Sequence, residues 1–369
     1  MLLPPKISPA PLALTVLLLG GGGPAAAQEN PEQILLKDYA PNSIYKIPVT
    51  GISKAKYPVI DMHSHSYART PEQIAEWVKN MDETGIEKTI VLTGASGSRF
   101  DEIYKQYSRF PGRFELWCGF DFTGSGEPGF GPAAVAELER CYRAGARGVG
   151  ELSDKGRGMG SRRSGSPGIH PDDARLDPLF QKCAELGMPV NIHVADPIWM
   201  YEKMDRTNDG LMNAYRWRLD NRPDIVGHSG MMEILERAVK RHPGTTFIAC
   251  HFANLCYDLT RLATMLDRNP NLYADISARF AETATIPRFV SRFYAKYQNR
   301  LVYGTDMGYN TAMYRITFRV LETLDEHFYE TRQFGYHWSM NGFGLPDSVL
   351  KKIYRENALK ILGSRRRSR

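Results

Sequence analysis

The chain has 369 residues, 42% of them hydrophobic, 24% charged and 11% aromatic, with a net charge of +6. This is ordinary globular composition, long enough for one large α/β barrel or two medium domains. The positive charge is spread along the chain apart from the terminal Arg365-Arg366-Arg367-Ser368-Arg369. No basic stripe interleaved with aromatics accompanies it, so nucleic acid is excluded as an expected partner.

Residues 1–27 read as a signal peptide. Lys6 gives a positive start, Leu12 to Leu19 an apolar run, and Ala25-Ala26-Ala27 a small-residue cleavage signal. The run is shorter than the roughly 20 residues that span a bilayer. The expectation is therefore an exported protein, periplasmic or extracellular, without a stable membrane anchor. Five cysteines with no CxxC spacing, an odd count, argue against a disulfide scaffold and for packing as small apolar residues.

Residues 28–56 carry Pro31, Pro41 and Pro48 and no clear period. They are expected to form an arm laid over the domain, with a short strand at Ile44 to Val49. From Tyr57 onward, short apolar runs end near Asp61, Leu92, Phe122, Glu151, His193, His251, Asp275 and Asp306. Most successive ends are about 30 residues apart, the length of a strand-helix-strand unit; longer intervals follow the fourth and fifth runs. Helical spacing appears between them, over 71–84, 98–110, 133–144, 176–186, 231–241, 259–268, 286–297 and 311–328. Eight strands alternating with eight helices predict one (β/α)8 TIM barrel over 57–363, followed by a basic tail at 364–369. A doubly wound open sheet is the alternative architecture.

Active sites of such barrels sit at the carboxyl ends of the strands. His63 and His65 close the first run, Glu151 the fourth, His193 the fifth, His251 the sixth and Asp306 the eighth. On an extended chain residues i and i+2 project to one side, so His63 and His65 can aim two imidazoles at one point, which is a metal-ligand spacing. No Gly-x-Ser-x-Gly occurs, so a serine-hydrolase elbow is absent.

The ordered set Asp61-Met-His63-Ser-His65, Ile192-His193, Cys250-His251, Gly304-Thr305-Asp306 and Tyr354-Arg-Glu-Asn357-Ala358 resembles the amidohydrolase superfamily, most closely its amidohydrolase-related branch of hydrolases and non-oxidative decarboxylases. The resemblance implies that His63, His65, His193 and Asp306 hold a divalent metal, and that His251 polarises substrate or shuttles a proton. Some relatives bridge a second metal through a carboxylated Lys or a Glu at the end of strand 4. Here that position is Glu151, and its alternative is a buried carboxylate paired with a loop cation. Zinc is the default ion, with manganese or iron fitting the same donors.

The implied function is an exported metal-dependent hydrolase cleaving a C–N or C–O bond of a small molecule. A metal-dependent decarboxylase of an aromatic or related carboxylic acid is the alternative, and a barrel that has lost catalysis is a third reading. Substrate recognition is expected from the two enlarged loops. Lys155, Arg157, Arg162 and Arg163 in the first would meet an anionic group, and Trp199 in the second an aromatic or sugar-like one. Sequence alone leaves a homo-oligomer open.

Overall fold

The computed structural model describes residues 30–160 and 168–363. The expected signal peptide, Arg162, Arg163 and the basic tail lie outside the described residues. Two compact units are distinguished, residues 1–39 and 40–369. The described part of the first carries two single-turn 3-10 helices, Pro31–Gln33 and Leu36–Asp38.

In the second unit eight parallel strands alternate with eight principal helices. The strands are β1 (Val59–Ser64), β2 (Ile86–Leu92), β3 (Phe114–Trp117), β4 (Val149–Asp154), β5 (Val190–Val194), β6 (Phe247–Ala249), β7 (Leu272–Asp275) and β8 (Leu301–Val302). The helices are α1 (Pro71–Thr84), α2 (Gly97–Tyr107), α3 (Phe130–Ala144), α4 (Asp177–Leu186), α5 (His228–Arg241), α6 (Leu259–Arg268), α7 (Pro287–Tyr297) and α8 (Thr311–Glu322). Ladders join β1-β2-β3 and β4-β5-β6-β7-β8. Backbone hydrogen bonds close both seams: Cys118 N to Gly148 O (3.0 Å) and Gly150 N to Cys118 O (2.8 Å) on one side, Met62 N to Tyr303 O (2.9 Å) and Thr305 N to His63 O (3.1 Å) on the other. The result is a (β/α)8 barrel, in which a closed parallel sheet leaves no free edge.

The sequence explains the elements locally. Helix α1 starts at a Thr70–Gln73 capping box with Pro71 in its first turn, and ends at Gly85 with φ 88°. Its inward residues Ile74, Trp77, Met81 and Thr84 recur at helical spacing, and Trp77 Nε1 donates to Tyr314 Oη of α8 at 3.0 Å. Inside the barrel Ile60, Met62, Ile90, Leu92, Trp117, Ile248 and Val302 pack with Ala358 and Ile361 of the closing helix Asn357–Gly363. A Cβ on Gly148 would lie 2.3 Å from the Trp117 indole, so the ring that fills this interior admits only glycine opposite it. Asn357 Nδ2 donates to Leu301 O at 2.7 Å, tying that helix to the short β8 and so to the segment that carries Asp306.

Several local expectations change, among them the end of α8, at Glu322 instead of 328, and of α2, at Tyr107 instead of 110. No strand forms at 44–49; Ile44 and Val49 are exposed, and the segment is anchored instead through Thr50, whose N and Oγ1 donate to Asp325. Strand β3 ends at Trp117 rather than near Phe122, and β6 gives way at Cys250 to a left-handed turn. All five cysteines are free and buried, as expected for small apolar packing.

Candidate metal centre

The carboxyl ends of β1, β4, β5, β6 and β8 converge on one point, and Glu151 lies in its middle. Glu151 Oε1 is 2.5 Å from His193 Nδ1, 3.8 Å from His251 Nε2 and 4.0 Å from His63 Nε2, while Oε2 is 3.6 Å from His65 Nε2. Asp306 faces it. Its Oδ1 is 3.1 Å from His65 Nε2 and 3.7 Å from His63 Nε2, and its Oδ2 is 3.6 Å from His251 Nε2. Tyr67 Oη donates to Asp306 Oδ1 at 3.0 Å.

Each imidazole is held from behind, which decides which nitrogen looks inward. His63 Nδ1 donates to Asp275 Oδ2 (2.8 Å), His65 Nδ1 to Leu92 O (2.9 Å) and His251 Nδ1 to Ser277 O (2.9 Å). These acceptors cannot donate, so whenever these rings are neutral, as a metal ligand must be, the proton sits on Nδ1 and Nε2 carries the lone pair. His193 is turned the other way, with Nδ1 inward and Nε2 3.3 Å from Asp196 Oδ1.

The charges are strongly coupled. Burial pushes His63 down, but Asp275 and then Asp306 outweigh it and raise it to about 10. His193 likewise rises to about 9 through Glu151. His251, buried and facing the Arg279 cation, is driven down to about 3. Glu151 and Asp306 resist the upward push of burial and are held below the usual carboxylate range by His193 and His63 respectively.

These donors fit divalent ions. His193–Glu151 at 2.5 Å and His65–Asp306 at 3.1 Å are within hydrogen-bond reach, but the contacts of Glu151 with His65, His251 and His63, at 3.6–4.0 Å, are too long for hydrogen bonds and suit neighbouring ligands on an ion with bonds of about 2.0–2.2 Å. His63 Nε2 is buried with no hydrogen-bond partner, a costly state that a ligated ion relieves. Two triads, His63–His65–Glu151 and Glu151–His193–His251, each bring their ligand atoms within 4.8 Å of one another, and Glu151 belongs to both. The neutral His251 ring, its lone pair inward, suits a ligand better than a proton donor.

The backbone is strained where it leaves the barrel. Ala195, His251, Ala278 and Asp306 adopt φ of 64°, 60°, 50° and 53° after β5, β6, β7 and β8, an unfavourable region for non-glycine residues. A cavity of about 1260 Å³ opens beside Glu151 and Asp196. Of the loop residues expected to meet substrate, Lys155 and Arg157 line it, Lys155 pairing with Asp196 at 2.8 Å and Arg157 with Asp224. Trp199 faces a separate cavity of about 520 Å³. Of the remaining histidines, His170, His228, His242, His327 and His337, none reaches the centre; His228 is buried with Nε2 3.1 Å from Asn254 O.

Sequence reasoning missed Asp275, Ser277, Tyr67 and Asp196. Asp275 carried a usable signal, since it closes β7 by the same strand-end rule that selected His193. Ser277 and Asp196, each two residues beyond a strand end, carried none.

The amidohydrolase family model matches residues 119–364, a stretch that includes Glu151, His193, His251 and Asp306 and begins after His63 and His65. No curated protein matches the chain. Solved structures resemble it at low identity. An uncharacterized TIM-barrel protein from Bordetella bronchiseptica is 15% identical with a TM-score of 0.52, over 84% of this chain and 99% of that one. A putative 2-pyrone-4,6-dicarboxylic acid hydrolase from Pseudomonas putida is 14% identical with a TM-score of 0.49, over 85% and 99%. The 4-oxalomesaconate hydratase from Rhodopseudomonas palustris is 15% identical with a TM-score of 0.47, over 83% and 96%.

Proposed function

As the chain belongs to the amidohydrolase family, we propose that it is a metal-dependent hydrolase of a small molecule, in which Glu151 is shared between two divalent ions. The observation that carries this reading is the central place of Glu151, whose two oxygens lie within 4.0 Å of all four inward ring nitrogens. His63, His65 and Asp306 would hold one ion and His193 and His251 the other, with zinc as the expected metal. When bound, such ions supply Lewis-acid polarisation and make water acidic enough to attack near neutral pH.

The remaining chemistry belongs to the side chains. Asp306 is ionised and lies at the mouth of the centre, so its Oδ2, free of Tyr67, can take a proton from attacking water and return it to the leaving group. Tyr67, its phenol pushed far above the ordinary value by burial and by Asp306, stays a neutral donor and fixes the orientation of Oδ1. Asp275 and Ser277 hold the His63 and His251 rings while the substrate reacts. Lys155, half exposed on the cavity wall, offers a cation to an anionic substrate group. Export is part of the same proposal and rests on the sequence of residues 1–27 alone.

The test is to incubate the zinc-loaded protein, in oxygen-18-labelled water, with a panel of amides, lactones, esters and aromatic carboxylic acids. One labelled oxygen in the product of a turned-over amide, lactone or ester is the expected result. Release of carbon dioxide from an aromatic acid, with no label entering the organic product, would replace the hydrolase by a decarboxylase.

A further inference from the structure

We propose that Asp196 is a positioning residue of the metal centre, which holds the His193 ring with Nδ1 toward Glu151; the inference rests on the two-ion reading above. His193 is the one ligand candidate that turns Nδ1 rather than Nε2 inward, so its ring needs an anchor on the opposite side. The other three rings have theirs in Asp275, Leu92 O and Ser277 O. Behind His193 stands Asp196, its Oδ1 3.3 Å from Nε2. That nitrogen is buried and makes no well-aligned hydrogen bond, so the contact is chiefly one of charge and tautomer. A carboxylate facing Nε2 favours the proton there and leaves the Nδ1 lone pair for a metal.

The local backbone is built to deliver Asp196 to this point. Strand β5 ends at Val194, and the chain turns through Ala195 in the left-handed region at φ 64°. Ala195 N donates to Asp154 O at 2.9 Å, and the buried Asn254 clamps the same turn, its Nδ2 donating to Val194 O and Ala195 O at 3.1 Å each. This strained turn folds Asp196 back beneath the histidine three residues earlier. On its outer side the carboxylate accepts from Lys155 Nζ at 2.8 Å. This ion pair is half exposed on the Lys155 side and balances the charge of Asp196.

Zinc affinity, measured by competition with a chromophoric chelator on the full chain, tests the assignment without any substrate. Asp196→Asn is expected to weaken the tighter-held or the weaker-held of two zinc ions by about 10–100-fold, while Lys155→Met, which removes only a half-exposed ion pair, changes neither by more than about fivefold. Wild-type protein that binds zinc with Asp196→Asn binding it equally well would overturn the role of Asp196 alone. Equal losses in both variants would also overturn it, by assigning the effect to the ion pair. Wild-type protein that takes up no zinc would sink the two-ion reading and this inference with it. A second measurement needs no variant other than one for assignment: ring-nitrogen NMR of zinc-loaded protein labelled in histidine should show the His193 proton on Nε2, and a proton on Nδ1 would contradict the proposal.

Discussion

Asp306→Asn is expected to lower kcat by about 10²–10⁴-fold on whichever substrate the panel identifies, the range attributed to a positioned general acid–base. The substitution is nearly isosteric and keeps a hydrogen-bond acceptor for Tyr67 Oη, now 3.0 Å from Oδ1, so the fold should survive. What it removes is the negative charge that faces His65 Nε2 at 3.1 Å and, with it, a carboxylate that faces three of the four imidazoles. A neutral amide cannot accept the water proton and pass it on. Steady-state kinetics with matched metal loading would read the effect. An Asp306→Asn enzyme within about fivefold of wild type would remove Asp306 from the proton-transfer role.

Asp275→Ala should have the largest effect on stability. Its buried carboxylate accepts from His63 Nδ1 (2.8 Å), Asn191 Nδ2 (3.2 Å), His251 N (2.9 Å), Ser277 N (3.1 Å) and Ser277 Oγ (2.5 Å). Truncation leaves these donors without an acceptor and strands whatever charge His63 carries, a loss of about 3–5 kcal/mol by analogy with broken buried ion pairs. Metal affinity should fall as well, since the ring of His63 loses its anchor. Urea denaturation of the metal-free protein separates the first effect from the second. The charge also has a pH signature: although burial opposes it, His63 holds the Asp275 pKa down at about 2, below the ordinary carboxylate value. Its contribution in the wild type is therefore present above about pH 4 and fades as pH falls toward 2, and the variant should lack that dependence. Full stability in Asp275→Ala would show that the five hydrogen bonds are replaceable.

Much of the barrel is legible in the sequence because its strands are buried on both faces. A strand such as Val190–Val194, with all five residues buried, reads as an unbroken apolar run, and the fold then dictates that the polar residue at its end faces the mouth. That is why His63, His65, His193, His251, Glu151 and Asp306 are legible in the sequence as residues of one site. The helices were equally readable: α1 and α6 have the predicted bounds, because capping residues and Gly85 or Asp258 mark their ends. The failures have physical causes. Strand β8 is two residues long and is completed by hydrogen bonds to Ile353 and His63, contacts no local pattern encodes. The orienting groups were harder still. Asp275 marks a strand end, but its five hydrogen bonds come from four residues, His63, Asn191, His251 and Ser277, which spacing does not reveal; Asp196 works through a strained alanine held by Asn254 and has no signal in the spacing. Trp199 reads in the sequence as a loop aromatic near the mouth, but loop residues are placed by tertiary contacts, and it borders a different cavity from Glu151.

The most direct measurement is the number of ions retained per chain after zinc loading and gel filtration, by elemental analysis of the wild type and of Glu151→Gln. A carboxylate shared by two triads predicts two ions in the wild type and no more than one in the variant. An equal count in both proteins, or a wild type that retains none, would contradict the shared role of Glu151 on which the account rests.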